Sequence, residues 1–216
     1  MKRSEVINKF LEDGVVAVIR AESKEQGIKA IDAVINGGIK IIEITMTVPG
    51  AIDIIKKLSE VYKDERALIG AGTVLDPETA RACMLAGAKF IVSPNLNIET
   101  LKICNRYAMP VIPGIMTVNE AITALEYGVD IIKVFPGSAY GPSIISAFNG
   151  PLPQGKFMPT GGVSLSNVKD WIKSGAVAVG TGGQLTKGAE NGDYELVKET
   201  AAKFVKEVKS ARDSKN

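Results

Sequence analysis

Histidine is absent from all 216 residues, and that absence excludes more chemistry than any other feature of the composition. A His-based catalytic triad, an imidazole general base and a His-ligated zinc or haem cannot be built within this one chain. Cysteine is scarce: Cys83 and Cys104 are too few for a thiolate metal cage. Proton transfer must then use carboxylate, lysine, tyrosine, hydroxyl or water. A carboxylate-bound Mg²⁺ is the metal arrangement that composition alone leaves open. Aromatics are few, at 6% against 45% hydrophobic residues, so the core must be built from Ile, Val and Ala. Long apolar runs are missing too; Val15–Ile19 falls far short of the about 20 residues a membrane span needs. The first residues, MKRSEVINKFLEDG, have no apolar h-region and read as a polar-faced helix rather than a signal peptide. Net charge is +2, and no Lys/Arg cluster is interleaved with aromatics, so neither nucleic acid nor membrane is expected as a partner. Two cysteines without secretory features point to a reducing, cytoplasmic setting.

What is present is a regular alternation. Short aliphatic runs at 14–20, 39–45, 67–72, 88–93, 109–114, 129–135, 155–160 and 177–182 recur at intervals of one βα unit. Runs this apolar on both faces suit parallel strands covered by helices. The segments between them carry helix starts and stops. Ser23 precedes an Ile28, Ile31, Ile35 stripe that stops at Gly37-Gly38. Asp76-Pro77-Glu78 opens a helix ending near Gly87, and Thr117 and Glu120 have capping-box spacing. Ser164 or Ser166 is expected to start another helix, and Asp193 the last. Eight such units predict an α/β fold: one (β/α)₈ TIM barrel domain over 1–216, with few insertions and a short N-terminal helix closing its bottom. An open doubly wound sheet is the competing architecture; the regularity of the units favours the barrel.

In such a barrel chemistry lies at the C-terminal ends of the strands. Lys133 sits inside Ile131-Ile132-Lys133-Val134-Phe135, sharing a face with Ile131 and Phe135. Desolvation there disfavours the ammonium and so favours an amine able to attack a carbonyl. The alternative is a lysine snorkelling to water or paired with a carboxylate. Glu43 shares a face with Ile41 and Thr45, a second ionisable group in an apolar strand near the same rim. Amine and carboxylate together are what a Schiff-base aldolase needs; a purely structural ion pair is the other reading. Thr160-Gly161-Gly162 and Thr181-Gly182-Gly183 end the seventh and eighth runs, where barrel enzymes commonly bind phosphate, although tight turns also select glycine. Arg20 ends the first strand, as a carboxylate ligand or a rim ion pair. Thr73 would bond a carboxylate or cap a turn, and Phe135 would flank a ligand or fill the barrel mouth.

The segments EITMTVPGA (43–51), GAGTVLDPETA (70–80), FIVSPN (90–95), PVIPGIMT (110–117), IIKVFPGSAYGPS (131–143) and PTGGVSLSNV (159–168) resemble the class I 2-keto-3-deoxy-6-phosphogluconate aldolases. That family includes members described as 4-hydroxy-2-oxoglutarate aldolases, and the resemblance spans nearly the entire chain. It implies cleavage of a phosphorylated 2-keto-3-deoxy sugar acid to pyruvate and glyceraldehyde 3-phosphate, with glyoxylate release from hydroxy-oxoglutarate as a second activity. On the matching positions it implies Lys133 as the imine-forming lysine and Glu43 as the proton-transfer carboxylate. Thr73 and Pro94 would lie beside the pyruvate part, Phe135 would line the pocket, and Thr160, Gly161 and Gly162 would hold the phosphate end. A metal-independent, cofactor-free, cytoplasmic homotrimer is also implied. Two positions depart from the pattern. Some members have an arginine four residues after the glutamate to bind the substrate carboxylate, where this chain has Thr47, and a phosphate-loop serine of some members aligns with Gly183. Carboxylate binding then falls to Arg20, Thr73 and backbone N–H groups. Two other readings stand beside the aldolase: a phosphate-binding barrel isomerase or synthase using Lys133 and Glu43 as acid and base, and a non-catalytic sugar-phosphate-binding scaffold.

Overall fold

The structure, a computed structural model, describes residues 1–63 and 66–214. Its strands are β1 (Val15–Ile19), β2 (Ile41–Thr45), β3 (Leu68–Gly72), β4 (Ile91–Val92), β5 (Val111–Ile112), β6 (Gly114–Ile115), β7 (Ile132–Val134), β8 (Phe157–Pro159) and β9 (Val179–Thr181). All pair in parallel, in the orders β5-β4-β3-β2-β1-β9 and β6-β7-β8. β5 and β6 are two halves of the expected fifth strand, separated by Pro113, which has no N–H for a ladder bond. At the other seam Val177 N donates to Phe157 O at 3.0 Å, and Thr160 bridges in parallel to Gly180. The ladder therefore runs around a closed eight-stranded barrel, and the open-sheet alternative falls away.

The helices are α1 (Arg3–Asp13), α2 (Lys24–Asn36), α3 (Ala51–Val61), α4 (Pro77–Leu85), α5 (Ile98–Arg106), α6 (Val118–Glu126), α7 (Ser143–Asn149), α8 (Val168–Lys173), α9 (Gly183–Thr186) and α10 (Tyr194–Asp213). Several begin where the side chains dictate. Ser23, Asp76, Thr117 and Asp193 each accept a hydrogen bond from a first-turn N–H, at 3.2, 2.6, 3.2 and 2.9 Å. α8 begins later than Ser164 or Ser166. The Asn167 side chain accepts from Ser164 N at 2.9 Å and donates to Gly162 O at 2.8 Å, which holds residues 162–167 as a turn.

Two apolar clusters follow from strand alternation. Outward side chains pack under the helices. Inward ones, including Val16, Ile41, Leu68, Phe90, Ile131 and Met158, form a floor that α1 closes with Val6, Ile7 and Phe10. Phe10 meets Phe90 edge-on, centroids 4.9 Å apart at 87°. Above that floor the same inward faces carry Glu43 and Lys133. Among the described residues no helix is long and apolar enough to cross a membrane.

Candidate active site

Lys133 and Glu43 converge inside the barrel. Lys133 Nζ lies 3.7 Å from Glu43 Oε1, with the two side chains 5% and 0% exposed. Register explains the approach: β7 places Lys133 beside Gly114 on one side and Met158 on the other, and β2 places Glu43 beside Gly70. Gly72 matters as much. A Cβ there would collide with the Glu43 carboxyl, so the bare backbone of β3 is what lets that side chain lie across it. The Phe135 ring centre is 5.0 Å from Nζ, completing an apolar wall with a weak cation–π contact. Neither Glu43 oxygen has a hydrogen-bond partner, and Thr160 Oγ1 is likewise buried without one. The Glu43 carboxylate thus has the Lys133 amine as its charged neighbour and no hydrogen-bond donor fixed on it, which leaves its oxygens able to take or give a proton.

The first glycine loop reaches this pair through Phe135, whose ring has an atom 3.6 Å from where a Gly161 Cβ would be and its centre 5.0 Å from Lys133 Nζ. Gly161 and Gly162 have φ of 87° and 74°, a left-handed path that side chains disfavour. Among the described residues the N–H groups of Gly161, Gly162, Gly182 and Gly183 donate no hydrogen bond, which leaves donors on two adjacent loops for an anion. The loops are tied to each other, since Leu165 N donates to Gln184 Oε1 at 2.6 Å. The helix following the seventh strand starts six positions beyond Gly162, so the donors here are the loop's own amides rather than that helix's dipole.

Arg20, Thr47 and Gly183 share a cleft of about 450 Å³ at the rim, together with Glu22, Gln26 and Glu190. Arg20 is exposed and makes no ion pair among the described residues, so the rim ion-pair reading falls away. Thr73, just past β3, is a β-branched residue held at φ 56°, a conformation costing about 1–3 kcal/mol that is typical of functional positions. The Pro94 carbonyl packs where Gly114 has no side chain. The cysteines are no rival nucleophiles: burial pushes the Cys83 thiol up to about 11 and the Cys104 thiol up to about 12.

Residues 6–200 match the family model described as KDPG and KHG aldolase. The chain belongs to that aldolase family. A relative, the 2-dehydro-3-deoxy-6-phosphogalactonate aldolase of Escherichia coli K12, is 36% identical over 198 residues, covering 91% of this chain and 95% of its own. Among solved structures, a KDPG aldolase from Legionella pneumophila, with pyruvate captured as a covalent carbinolamine, superposes with a TM-score of 0.84 at 30% identity, covering 94% of this chain and 97% of that one. A cube-shaped cage designed by fusing symmetric oligomeric domains matches with a TM-score of 0.86 at 35% identity, covering 94% and 74%.

Several of the sequence-derived residues fall into two groups on this aldolase barrel. Phe135 packs beside the buried Lys133–Glu43 pair, with its ring 3.6 Å from where a Gly161 Cβ would be, and Thr160 Oγ1 is buried on the next strand end. Arg20 and Gly183 lie in the rim cleft. Sequence reasoning missed Glu22, Gln26 and Glu190. Gln26 accepts from Glu22 N at 2.8 Å and donates to Ala189 O at 3.0 Å, a tie across 163 positions that no local pattern announces.

Proposed function

We propose that this protein is a class I aldolase that cleaves 2-keto-3-deoxy-6-phosphogluconate to pyruvate and glyceraldehyde 3-phosphate, with 4-hydroxy-2-oxoglutarate as a second substrate. The observation that carries the reading is the amine–carboxylate pair at 3.7 Å, buried inside the barrel. Lys133 adds to the C2 ketone, and Glu43 delivers the proton with which the C2 oxygen leaves as water, giving a protonated imine. Glu43 then takes the C4 hydroxyl proton. The C3–C4 bond breaks, its electrons pass into the imine to form an enamine, and the aldehyde departs. Protonation at C3 and hydrolysis release pyruvate and return the amine.

In this scheme the imine is the electron sink, so no metal or cofactor is needed. Arg20, Thr73 and Pro94 serve the pyruvate end, while Thr160, Gly161, Gly162, Gly182 and Gly183 serve the phosphate, and Phe135 walls the pocket. Lys133→Ala should abolish turnover, and activity should survive exhaustive chelation. Normal activity in Lys133→Ala, or a chelation loss restored by a divalent metal, would overturn the proposal. The same reading makes the chain one barrel domain working in the cytoplasm as a homotrimer. Supporting the assembly are the likeness to a cage of symmetric oligomeric domains and the exposed apolar side chains of Leu75, Leu85 and Ile122. Light scattering on the purified protein tests the trimer.

A further inference from the structure

Gln26, in the first turn of α2, ties two segments of the rim cleft to each other. Its side-chain amide accepts from Glu22 N at 2.8 Å and donates to Ala189 O at 3.0 Å. The orientation of that amide is forced, because an N–H must meet its oxygen and a carbonyl must meet its nitrogen. The backbone beneath it is fixed as well, since Gln26 N donates to the Ser23 hydroxyl at 3.2 Å.

Each tied segment carries a residue assigned to a different end of the substrate. Glu22 is two positions after Arg20, which serves the pyruvate end. On the other side of Arg20, Thr45 Oγ1 donates to Ile19 O at 2.9 Å and lies 2.7 Å from Thr47 Oγ1, a chain that anchors the end of β1. Gln26 anchors the loop that follows. Ala189 lies six positions after Gly183, which serves the phosphate end. The stretch between them is helical: α9 runs directly into a 3₁₀ turn over Lys187–Asn191. Gly182 O accepts from Thr186 N at 2.9 Å and from Thr186 Oγ1 at 3.1 Å, so α9 moves as one piece with its loop. Arg20, Gln26, Gly183 and Ala189 line one cleft.

Arg20 is exposed, and no ion pair among the described residues holds its side chain. Its placement therefore depends on its backbone, which Gln26 fastens to the segment behind the second glycine loop. We infer that Gln26 is a positioning residue acting at both ends of the substrate: it holds Arg20 for the carboxylate and the Gly182-Gly183 loop for the phosphate. The inference rests on the aldolase reading above. Holding both ends in place beforehand removes an ordering cost that binding would otherwise carry.

The test runs in the direction of synthesis. Gln26→Met keeps the length of the side chain and removes both hydrogen bonds. KM should rise about three- to tenfold for pyruvate and for glyceraldehyde 3-phosphate, while KM for unphosphorylated glyceraldehyde and kcat stay within about twofold. Because Gln26 acts on pyruvate through Arg20, the same change in an Arg20→Ala background should leave pyruvate KM where Arg20→Ala alone puts it. It should still raise KM for glyceraldehyde 3-phosphate there. A merely structural side chain would lower the denaturation midpoint and leave these constants unmoved. Unchanged KM values, a rise for pyruvate or the phosphate alone, or an equal rise for glyceraldehyde would overturn the inference. So would an additive effect on pyruvate KM in the double variant, by making Gln26 a direct ligand. Borohydride trapping of pyruvate separates the two levels. Trapping on the wild type and on Gln26→Met at saturating pyruvate, with KM values unmoved, refutes only the role of Gln26. No trapping on the wild type removes the aldolase reading and this inference with it.

Discussion

Lys133 Nζ faces Glu43 Oε1 at 3.7 Å inside the barrel, and no hydrogen bond supports either carboxylate oxygen. A buried ion pair with so little support is poorly justified by stability, because desolvating both groups costs more than a long contact returns. Replacing both by apolar residues, as Lys133→Met with Glu43→Leu, should give an inactive protein at least as stable as the wild type. Lys133→Met alone should lose about 3–5 kcal/mol by leaving the carboxylate unpaired. Denaturant melts of the three proteins check this; equal destabilisation by the single and double changes would refute it.

Gly72 is the counterpart of Glu43 on the neighbouring strand. Gly72→Ala puts a methyl group where the carboxyl lies, with the backbone of β3 otherwise undisturbed at an ordinary φ. Turnover should fall at least about 100-fold, because a displacement of about 1 Å is enough for such a loss. Trapping of pyruvate on Lys133 should slow as well, since Glu43 serves imine formation too. Undiminished kcat would separate Glu43 from the chemistry.

Much of this site is legible in the sequence, for a specific reason. A charge inside an apolar run is conspicuous, and period-two alternation fixes which neighbours share its face, so Lys133 and Glu43 emerged with their orientation. The strands emerged because both of their faces are covered. What stayed hidden depends on contacts between distant segments: the Thr47–Thr45–Ile19 chain, the Gln26–Ala189 tie, and the Asn167 side chain that delays α8. The helix α7 has only seven residues, too short for its period to stand out between the sixth and seventh strands. Gly72 is in sequence only the end of an apolar run; its role needs the position of Glu43, two residues from its register partner Thr45.

The two cysteines should be silent in the folded protein. With thiols pushed up to about 11 at Cys83 and about 12 at Cys104, hardly any thiolate exists at neutral pH, and both side chains are buried. A chromogenic disulfide reagent should register no fast thiol in the native protein and both after denaturation. Rapid native labelling of either would contradict the packing of α4 and α5.

Acid should weaken α4 through its cap. The Thr79 backbone N–H, and then its hydroxyl, holds the Asp76 carboxyl below its ordinary 3.8. Because the folded value is depressed, the contribution is fully present above the unfolded value and is lost as pH falls through the folded one. Asp76→Ala should therefore cost about 1 kcal/mol near pH 7 and progressively less below about pH 4. A cost independent of pH in paired denaturation curves would show that the charge of Asp76 contributes nothing.

The phosphate loops predict a selective effect. Gly162→Ala places a methyl 2.8 Å from Ser138 Cβ at a positive φ, which should disturb the loop while leaving the Lys133–Glu43 pair in place. KM should rise about tenfold or more for phosphorylated substrates and little for 4-hydroxy-2-oxoglutarate. The same loss for both substrates would remove the phosphate assignment.

The central claim is that Lys133 forms an imine, and reductive trapping tests it most directly. Incubation with pyruvate and borohydride, followed by peptide mass spectrometry, should give irreversible inactivation and one reduced pyruvyl adduct, on Lys133. Full activity after treatment with both reagents, or inactivation with the adduct on a different lysine, would contradict the account.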